Sequence, residues 1–273
     1  MQVIKNISQI RNFVAQKKAE EKKIAFVPTM GALHEGHLSL FRKAREVADI
    51  TIASIFVNKA QFNDASDYAK YPRQLESDLE LLKKLGVDCV FAPDDAEIFP
   101  SDFAFKIFPT ALTNCLCGAT RPGHFDGVSL IITKLFNIVK PHLAIFGEKD
   151  FQQVLIIKKL VRDLNFDVEI LTHDIVREAS GLAMSSRNQR LSEAGKIKAA
   201  EIYQALLAVK KDPNSLAQQA QKLLQNGFEK IDYFEIRLEK NLDLVSDFSQ
   251  KTPSRIFIAV YLEGLRLIDN MPL

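Results

Sequence analysis

Short apolar runs alternate with amphipathic stretches over the first two-thirds of the chain. Buried strands are predicted at the following runs: residues 24–27, 51–57, 88–91, 143–146 and 168–171. Helical spacing of apolar positions predicts helices between them: residues 38–48, 73–85, 126–139 and 151–164. A further strand is predicted at residues 103–108, between two prolines. Such alternation is typical of right-handed crossover units, so we expect a Rossmann-like α/β fold, with a mostly parallel sheet and helices on both faces.

The pattern changes after residue 176. Helices with polar faces are predicted over residues 192–211 and 215–224, separated by Asp212 and Pro213. Strands are then predicted at residues 233–238 and 256–261. We therefore expect two domains: a Rossmann-like ligand-binding domain over residues 1–175 and a smaller α+β lid domain over residues 176–273.

The charge balance gives no reason to expect a polyanionic partner. The chain has 273 residues, with 36 basic and 34 acidic side chains and a formal net charge of +2. This near-balance does not favour nucleic acid or an anionic membrane surface as a partner. Residues 1–23 lack the apolar core of a signal peptide, and the apolar stretch at residues 128–139 is too short to span a bilayer. We therefore expect a soluble, cytoplasmic protein.

The three cysteines indicate reduced thiols and no structural metal. Cys115 and Cys117 are two residues apart, and Cys89 lies far from them in the sequence. No second pair of cysteine or histidine residues stands near Cys115 and Cys117 to complete a zinc site. We expect reduced, mostly buried side chains, as in cytosolic proteins.

Residues 28–37 combine glycines and histidines directly after the first predicted strand. Gly31 and Gly36 allow the backbone to approach a ligand closely, and His34 and His37 share one face of a starting helix. Imidazoles beside a helix N-terminus suit a phosphate that gains charge during attack. The spacing differs from the His-Glu-x-x-His zinc motif, and neither common glycine-rich nucleotide fingerprint occurs. Surface histidines and a metal pair remain as alternatives.

Three further polar stretches are compatible with the same site. Asn58 and Gln61 follow the second strand and can orient a small polar molecule. Residues 147–153 lie between a strand and a helix, where Lys149 can face a phosphate and Asp150 a metal-bound water or a ribose. Residues 184–187 place two hydroxyls before a guanidinium, which suits a polyphosphate. A polar loop with Phe62 packed inward explains the first of these stretches as well, and helix caps and solvated turns look similar to the second. For residues 184–187 alone, a solvated turn before the next helix is the favoured interpretation.

Residues 121–127 form a fifth polar stretch, which we interpret as structural, with Asp126 as a helix N-cap. Most of the other stretches follow predicted strands. Because the carboxyl ends of parallel strands meet at one edge of a sheet, these stretches are expected to converge. The sequence therefore predicts one site that handles a nucleotide together with a small polar partner.

In combination these motifs resemble the pantothenate synthetase family, which belongs to the nucleotidyltransferases with a His-x-Gly-His signature. The resemblance extends from residues 26–31 to residues 266–270, and it is most specific at residues 121–125, 147–150 and 184–187. It implies that ATP and (R)-pantoate give pantoyl-adenylate and pyrophosphate, and that β-alanine then releases pantothenate and AMP. It also implies a requirement for Mg²⁺, a homodimer built on the N-terminal domain, and neither nucleic acid nor membrane as partner.

The resemblance also implies residue roles. His37, His34 and Lys149 would be catalytic, with His37 as proton donor. ATP would be bound by Met30, Gly31, Ala32, Leu33, His34, Glu35, Gly36, His37, Gly147, Glu148, Lys149, Asp150, Val176, Met184, Ser185, Ser186 and Arg187. Pantoate and β-alanine would be bound by Gln61, Gln153 and Asn58, with Gln61 close to both substrates. No protein ligand of the metal is assigned.

Two positions depart from the family pattern, and three other functions compete. Lys59 replaces a usual proline beside the pantoate residues, and Cys117 replaces a usual glutamate. The main alternative is a nucleotidyltransferase that adenylates another small cofactor precursor. A phosphorylated acceptor would require arginine or lysine in place of Gln61 and Gln153. A tRNA-charging enzyme is disfavoured by the neutral charge, and a silent nucleotide-binding regulator by the presence of His34, His37 and Lys149.

Overall fold

The computed structural model describes residues 1–248 and 252–273, and six strands of this part of the chain form one parallel sheet. Its strand order is β1-β4-β3-β2-β5-β6. The strand bounds are β1 Gln2–Ile4, β2 Ile24–Thr29, β3 Ile50–Ile55, β4 Cys89–Phe91, β5 Leu143–Gly147 and β6 Glu169–His173. The central strand β2 is apolar on both faces, as expected for a parallel sheet covered by helices on each side.

The strand order fixes where a ligand can bind. From β2 the chain continues to β3 on one side, and β5 pairs with β2 on the other side. The crevice between the carboxyl ends of β2 and β5 is therefore the switch point of the sheet, where open α/β sheets bind their ligands.

Helices connect the strands and continue into the C-terminal part. Their bounds are α1 Ile7–Ala19, α2 Glu35–Val47, α3 Ala65–Ala69, α4 Leu75–Lys84, α5 Asp95–Ile98, α6 Leu116–Thr120, α7 His124–Val139, α8 Phe151–Asp163, α9 Glu193–Ala199, α10 Glu201–Lys211 and α11 Leu216–Gln225. Short 3₁₀ turns cover Lys59–Gln61, Glu148–Asp150, Ser186–Arg190 and Pro213–Ser215. No helix in residues 1–248 and 252–273 is both long and apolar enough to cross a membrane.

An antiparallel sheet lies at the C-terminal end of the chain. In the described residues its strands are β7 Lys230–Leu238, β8 Ser254–Leu262 and β9 Leu265–Pro272, in the order β7-β8-β9. Its buried face packs with α10 and α11, through side chains such as Leu206, Leu223 and Ile258. Tyr233 and Phe257 instead join the core of the parallel sheet, so the two sheets are in contact.

The C-terminal sheet also holds the turn that follows β5. Asn270 Nδ2 donates hydrogen bonds to the carbonyl oxygens of Glu148 and Lys149, at 3.0 and 2.9 Å. Arg255 Nη2 lies 3.0 Å from Glu148 Oε2, and the Arg255 side chain is only 5% exposed. The turn that presents Lys149 therefore depends on residues more than a hundred positions further along the chain.

The fold class is confirmed, and several predicted elements are wrong in detail. Residues 103–108 are not a strand: they pair with neither sheet, and most of their side chains are exposed, so their apolar residues are not buried as a sheet would require. The helix expected over residues 192–211 is divided at Ala200 into α9 and α10. Asp126 is not the N-cap of α7; Gly123 occupies that position with φ +80°, and Asp126 lies in the first turn. Strands β1 and β9 and helix α1 were not predicted.

Candidate active site

The crevice between β2 and β5 contains a cavity of about 240 Å³, which we call the main cavity. Predicted site residues from four separate stretches, together with Val176, line it: Met30, His34, Gly36, His37, Asn58, Gln61, Gly147, Lys149, Asp150, Gln153, Val176, Met184, Ser185, Ser186 and Arg187. The convergence expected from parallel strands is therefore present in the structure.

The two histidines are fixed by the start of α2. His34 is the N-cap, and its Nδ1 accepts a hydrogen bond from the backbone N–H of Gly36 at 3.2 Å. His37 Nδ1 in turn accepts from the backbone N–H of His34 at 3.4 Å. Because each Nδ1 is an acceptor, each neutral ring carries its proton on Nε2. The two rings pack with their centroids 4.1 Å apart.

Both imidazoles are neutral donors at physiological pH. Burial lowers the pKa of His34 to about 4, with a further contribution from the charge of Lys149. Burial also lowers the pKa of His37 to about 3, and the neighbouring His34 and Lys149 act in the same direction. The pair therefore offers two Nε2–H groups to an anion in the cavity, without positive charge of its own.

The turn before α2 is held by a carboxylate that sequence reasoning missed. Asp78 is buried, and its two oxygens accept hydrogen bonds from the backbone N–H groups of Ala32 and Leu33, both at 2.8 Å. Gly31 has φ +81°, and a Cβ at this position would lie 2.9 Å from Asp78 Oδ2. An acidic residue on the apolar face of the helix predicted over residues 73–85 was the available signal.

Lys149 supplies the positive charge at the end of β5. Its Nζ lies 3.5 Å from Asp150 Oδ2, and both residues line the main cavity. Desolvation raises the pKa of Asp150, but the positive charge of Lys149 and the contributions of His124 and Arg187 outweigh it and hold this pKa below its usual range. Asp150 is therefore ionised at neutral pH, and its carboxylate faces the cavity.

Gln61 is held in one orientation by Asn58. Asn58 is 1% exposed, and its Nδ2 donates to Gln61 Oε1 and to the carbonyl oxygen of Gly127, both at 3.0 Å. Gln61 Nε2 donates to Met30 Sδ at 3.0 Å. Because the Gln61 oxygen and one Nε2–H are engaged, the second Nε2–H is the group that remains for a ligand in the cavity. Gln153 lines the same cavity, and its side chain has no hydrogen-bond partner within residues 1–248 and 252–273.

The stretch interpreted as structural, residues 121–127, contributes directly to this site. His124 Nδ1 lies 2.8 Å from the carbonyl oxygen of Gln61, and Arg121 Nη2 donates to the same oxygen at 3.1 Å. Arg121 Nη1 lies 3.2 Å from His124 Nε2. Burial lowers the pKa of His124 to about 3, with a smaller effect of Arg121, so this ring is neutral. Both residues line the main cavity.

Helix α7 makes a close backbone contact with the turn that carries Gln61. A Cβ at Gly127 would lie 2.3 Å from the carbonyl oxygen of Ala60 and 2.6 Å from the backbone nitrogen of Gln61. Only a glycine fits this approach. The position of Gln61 is therefore set by the packing of the 3₁₀ turn Lys59–Gln61 against α7.

Residues 184–187 form the opposite wall of the cavity. Ser186 Oγ donates to the carbonyl oxygen of Ala32 at 3.0 Å, which ties this wall to the turn before α2. Arg187 Nη2 lies 2.7 Å from Asp67 Oδ2 in α3, and Arg190 Nη1 lies 2.9 Å from Asp67 Oδ1. Arg187 thus lines the cavity while it is paired with a carboxylate that lies outside it.

Five residues predicted to bind ATP do not line the cavity: Gly31, Ala32, Leu33, Glu35 and Glu148. Ala32 and Leu33 are buried, with their N–H groups on Asp78. Glu35 is exposed and forms an ion pair with Arg42, because the first turn of α2 points its side chain to solvent. Glu148 pairs with Arg255 and belongs to the contact between the two sheets.

The donor set does not form a metal cage. No group of three or more histidine, cysteine, aspartate or glutamate side chains in residues 1–248 and 252–273 is arranged to hold a metal ion. The cavity does offer the carboxylate of Asp150. Mg²⁺ is usually bound through one or two carboxylates together with substrate phosphates, so this donor set fits a metal that binds with a nucleotide.

Sequence comparison places the chain in a known family. A profile of the family described as pantoate-beta-alanine ligase matches residues 2–272. The chain belongs to the pantoate-beta-alanine ligase family. It is 46% identical to the pantothenate synthetase of Cytophaga hutchinsonii, covering 98% of each chain, and 45% identical to that of Thermotoga petrophila, covering 99% of each chain.

Solved structures of this ligase family share the fold. A pantothenate synthetase structure from Thermus thermophilus superposes with a TM-score of 0.91 at 38% identity, over 99% of each chain. A pantoate-beta-alanine ligase structure from Francisella tularensis superposes with a TM-score of 0.87 at 39% identity, over 100% of this chain and 97% of that chain. The Francisella protein is described as complexed with "Beta-gamma ATP and Beta-alanine".

The two departures from the ligase family pattern are accommodated locally. With Lys59 at its first position the 3₁₀ turn still forms, because Asn58 Oδ1 accepts from the backbone N–H of Ala60 at 3.3 Å. Cys117 is buried, and its Sγ lies 3.2 Å from the Tyr233 hydroxyl and 3.5 Å from Arg266 Nη1. Cys89, Cys115 and Cys117 are free thiols.

Proposed function

We propose that the chain condenses (R)-pantoate with β-alanine in two ATP-dependent steps through a pantoyl-adenylate. One observation carries this proposal: the Nε2–H groups of His34 and His37, the charge of Lys149 and the neutral amides of Gln61 and Gln153 face a single cavity at the sheet switch point. The first three groups suit a polyphosphate and the last two suit a small hydroxy acid.

In the first step a pantoate carboxylate oxygen bonds to the α-phosphorus of ATP, and the bond to pyrophosphate breaks. Two anions approach each other in this step, so donors that act on the developing charge lower the barrier. His34 and His37 donate through Nε2 without a change in their own protonation. Lys149 supplies the positive charge.

The acid is oriented by neutral groups. Asn58 engages the Gln61 oxygen and Met30 accepts from Nε2, so the Gln61 amide offers its second N–H to a pantoate oxygen. Neutral amides position a carboxylate without a strong ion pair, which would stabilise the nucleophile in its ground state. In the second step the β-alanine nitrogen bonds to the acyl carbon, AMP leaves, and the nitrogen loses a proton.

We propose that Asp150, whose carboxylate lines the cavity and is ionised, would hold a Mg²⁺ ion that accompanies ATP. Bound to the phosphates, the ion would neutralise charge on the leaving pyrophosphate. Asp150 Oδ2 also lies 3.5 Å from Lys149 Nζ, so Asp150 positions the charged amine of Lys149 at the cavity wall.

We propose that residues 1–175 bind the substrates and that residues 176–273 act as a lid. The ion pairs of Arg187 and Arg190 with Asp67 join the two parts and would open when the lid moves. The hydrogen bonds from Asn270 to the carbonyl oxygens of Glu148 and Lys149 also join them, and they would serve as the pivot of this movement. Since the reaction uses ATP, we propose a cytoplasmic location for the enzyme.

We propose a homodimer through the N-terminal part. Phe105 and Phe108 are 77% and 65% exposed, and both belong to the segment between α5 and α6. Exposed apolar side chains that form a contiguous patch mark association surfaces. Phe105→Asp combined with Phe108→Asp is expected to convert a dimer to a monomer in light scattering; a monomeric unsubstituted protein would contradict the proposal.

The function is tested by exchange of labelled pyrophosphate into ATP, with and without (R)-pantoate and without β-alanine. Exchange that depends on (R)-pantoate, followed by pantothenate formation when β-alanine is added, is the expected result. ATP binding without exchange in the presence of (R)-pantoate would contradict it. Exchange with another acid would favour the alternative, a nucleotidyltransferase that adenylates a different cofactor precursor.

A further inference from the structure

Arg121 lies where three hollows of the molecule meet. It lines the main cavity and also a second hollow of about 280 Å³, the outer cleft, which continues past Asn63, Asp67 and Arg266. It also lines a small crevice of about 30 Å³ beside Tyr233. A ligand that enters the main cavity through the outer cleft therefore passes the Arg121 guanidinium.

The other partly buried cations of this region have carboxylate partners. Arg187 and Arg190 pair with Asp67 at 2.7 and 2.9 Å. Arg266 Nε lies 2.7 Å from Asp232 Oδ2, and Lys149 Nζ lies 3.5 Å from Asp150 Oδ2. Within residues 1–248 and 252–273, Arg121 forms no ion pair, although its side chain is partly buried.

The hydrogen bonds of Arg121 are to neutral groups. One N–H of Nη2 donates to the Gln61 carbonyl, and one of Nη1 donates to Nε2 of the neutral His124. The remaining N–H groups of the guanidinium have no partner among the described residues. Desolvation lowers the pKa of Arg121, and repulsion by Arg187 and Arg266 lowers it further, whereas Cys117 and Asp150 act in the opposite direction. A shielded guanidinium in this position is stabilised by an anion.

We infer that Arg121 binds the carboxylate of β-alanine and thereby selects, as the second substrate, an amine that carries a carboxylate. This inference rests on the proposed function. The amine must reach the acyl carbon beside Gln61, and Arg121 is fixed to the main chain of that residue. Two methylene groups separate the amine of β-alanine from its carboxylate. Gln61 and Gln153 carry no charge. Lys149 and Arg187 already have carboxylate partners, so among the described residues Arg121 is the cation of the main cavity that is left to pair with this anion.

The experiment separates the two half-reactions in Arg121→Gln. Pyrophosphate exchange with (R)-pantoate, which needs no β-alanine, is expected to stay within about five-fold of the unsubstituted enzyme, because His124 still holds the Gln61 carbonyl. In the complete reaction the KM for β-alanine is expected to rise roughly 30- to 1,000-fold, as for loss of one partner of a shielded charge pair. The KM of Arg121→Lys for β-alanine is expected to lie between that of the unsubstituted enzyme and that of Arg121→Gln.

Selectivity for the charge gives the second readout. The unsubstituted enzyme is expected to prefer β-alanine over its neutral amide, 3-aminopropanamide, by at least ~30-fold in kcat/KM, and Arg121→Gln is expected to abolish most of this preference. Lys70→Gln removes an exposed cation of the outer cleft, and it should leave both quantities within about three-fold.

Three outcomes would overturn the inference. A parallel fall of exchange and pantothenate formation in Arg121→Gln would mean that Arg121 acts on ATP, or on pantoate through Gln61. An unchanged KM for β-alanine would mean that its carboxylate is bound elsewhere. An unchanged preference over 3-aminopropanamide would exclude charge recognition by Arg121. Absence of (R)-pantoate-dependent exchange in the unsubstituted enzyme would instead contradict the proposed function itself.

Discussion

Substitution of Gly127 by alanine tests whether the contact between α7 and the 3₁₀ turn positions Gln61. The new Cβ would lie 2.3 Å from the Ala60 carbonyl oxygen, whereas ordinary contacts begin at 3.4 Å. The turn must therefore move by about 1 Å, and Gln61 moves with it. Misplacement by about 1 Å costs on the order of 100-fold in rate when a group orients the reacting atoms. Overpacking of this kind destabilises a protein by about 1–3 kcal/mol.

The assay is pyrophosphate exchange as a function of (R)-pantoate concentration, with ATP affinity measured separately by calorimetry. For Gly127→Ala we expect kcat/KM for (R)-pantoate to fall about 100-fold. We expect the Kd for ATP to stay within about three-fold, because His34, His37 and Lys149 lie on other elements. Thermal unfolding should shift down by roughly 2–12 °C.

Ser129→Ala is the matched control on the same helix. The Ser129 hydroxyl is buried, and it has no hydrogen-bond partner among the residues that the structure describes. Its removal leaves no partner unsatisfied, so exchange and stability should remain close to those of the unsubstituted enzyme. Unchanged exchange in Gly127→Ala would refute the positioning argument, and so would an equal loss of ATP affinity, because the effect would then not be confined to Gln61.

Three further predictions concern the supports of the site. Asp78→Asn replaces an acceptor of two backbone N–H groups, so the free energy of unfolding should fall by about 2–4 kcal/mol in urea titrations, and ATP binding should weaken; full retention of both would contradict the role given to Asp78. Asp67→Asn frees Arg187 for phosphate, so the Kd for ATP should decrease about two- to five-fold in calorimetry, whereas weaker binding would show that the ion pair does not compete with ATP. The pKa of His124 is lowered to about 3, so the unfolded chain takes up the proton first as the pH falls below about 6.5. The contribution of His124 to the free energy of unfolding is therefore fully present above that pH. It should decrease by about 1.4 kcal/mol between pH 7.5 and 5.5 in urea titrations, and His124→Gln should remove this decrease.

The local pattern of apolar and polar residues was sufficient to predict most strands of the parallel sheet. The strands β2, β3 and β5 are apolar and short, and glycine, polar residues or a proline mark their ends. Helix α4 ends as expected, since Gly86 follows its C-cap with φ +71°. Strand β1 and helix α1 were missed because few of their residues are buried, so their apolar pattern is weak. Strand β9 was missed because arginine, aspartate and asparagine interrupt its apolar residues. Asp269 and Asn270 are nevertheless buried, since partners from distant parts of the chain cover them.

The chemistry of the site was predictable only where it follows from position at a strand end. His34, His37 and Lys149 were found in this way. Asp78 was not, because its role depends on backbone N–H groups that lie more than forty residues earlier in the chain. Arg121 and His124 were judged structural because no sequence pattern reveals that they meet the carbonyl of Gln61. The residues that orient the reacting groups are therefore long-range features, and the geometry of the fold is needed to find them.

The hydrogen bonds from Asn270 to the carbonyls of Glu148 and Lys149 have a consequence for recombination between relatives. A crossover near residue 176 would separate Lys149 from the β8–β9 hairpin that orients it. Chimeras joined at this point should keep activity only when both parents agree at residues 255 and 270, even if each half folds well. A junction near residue 176 is thus a poor place to combine two relatives. The two halves have to come from parents that are compatible at Asn270, whose side chain orients the turn with Lys149.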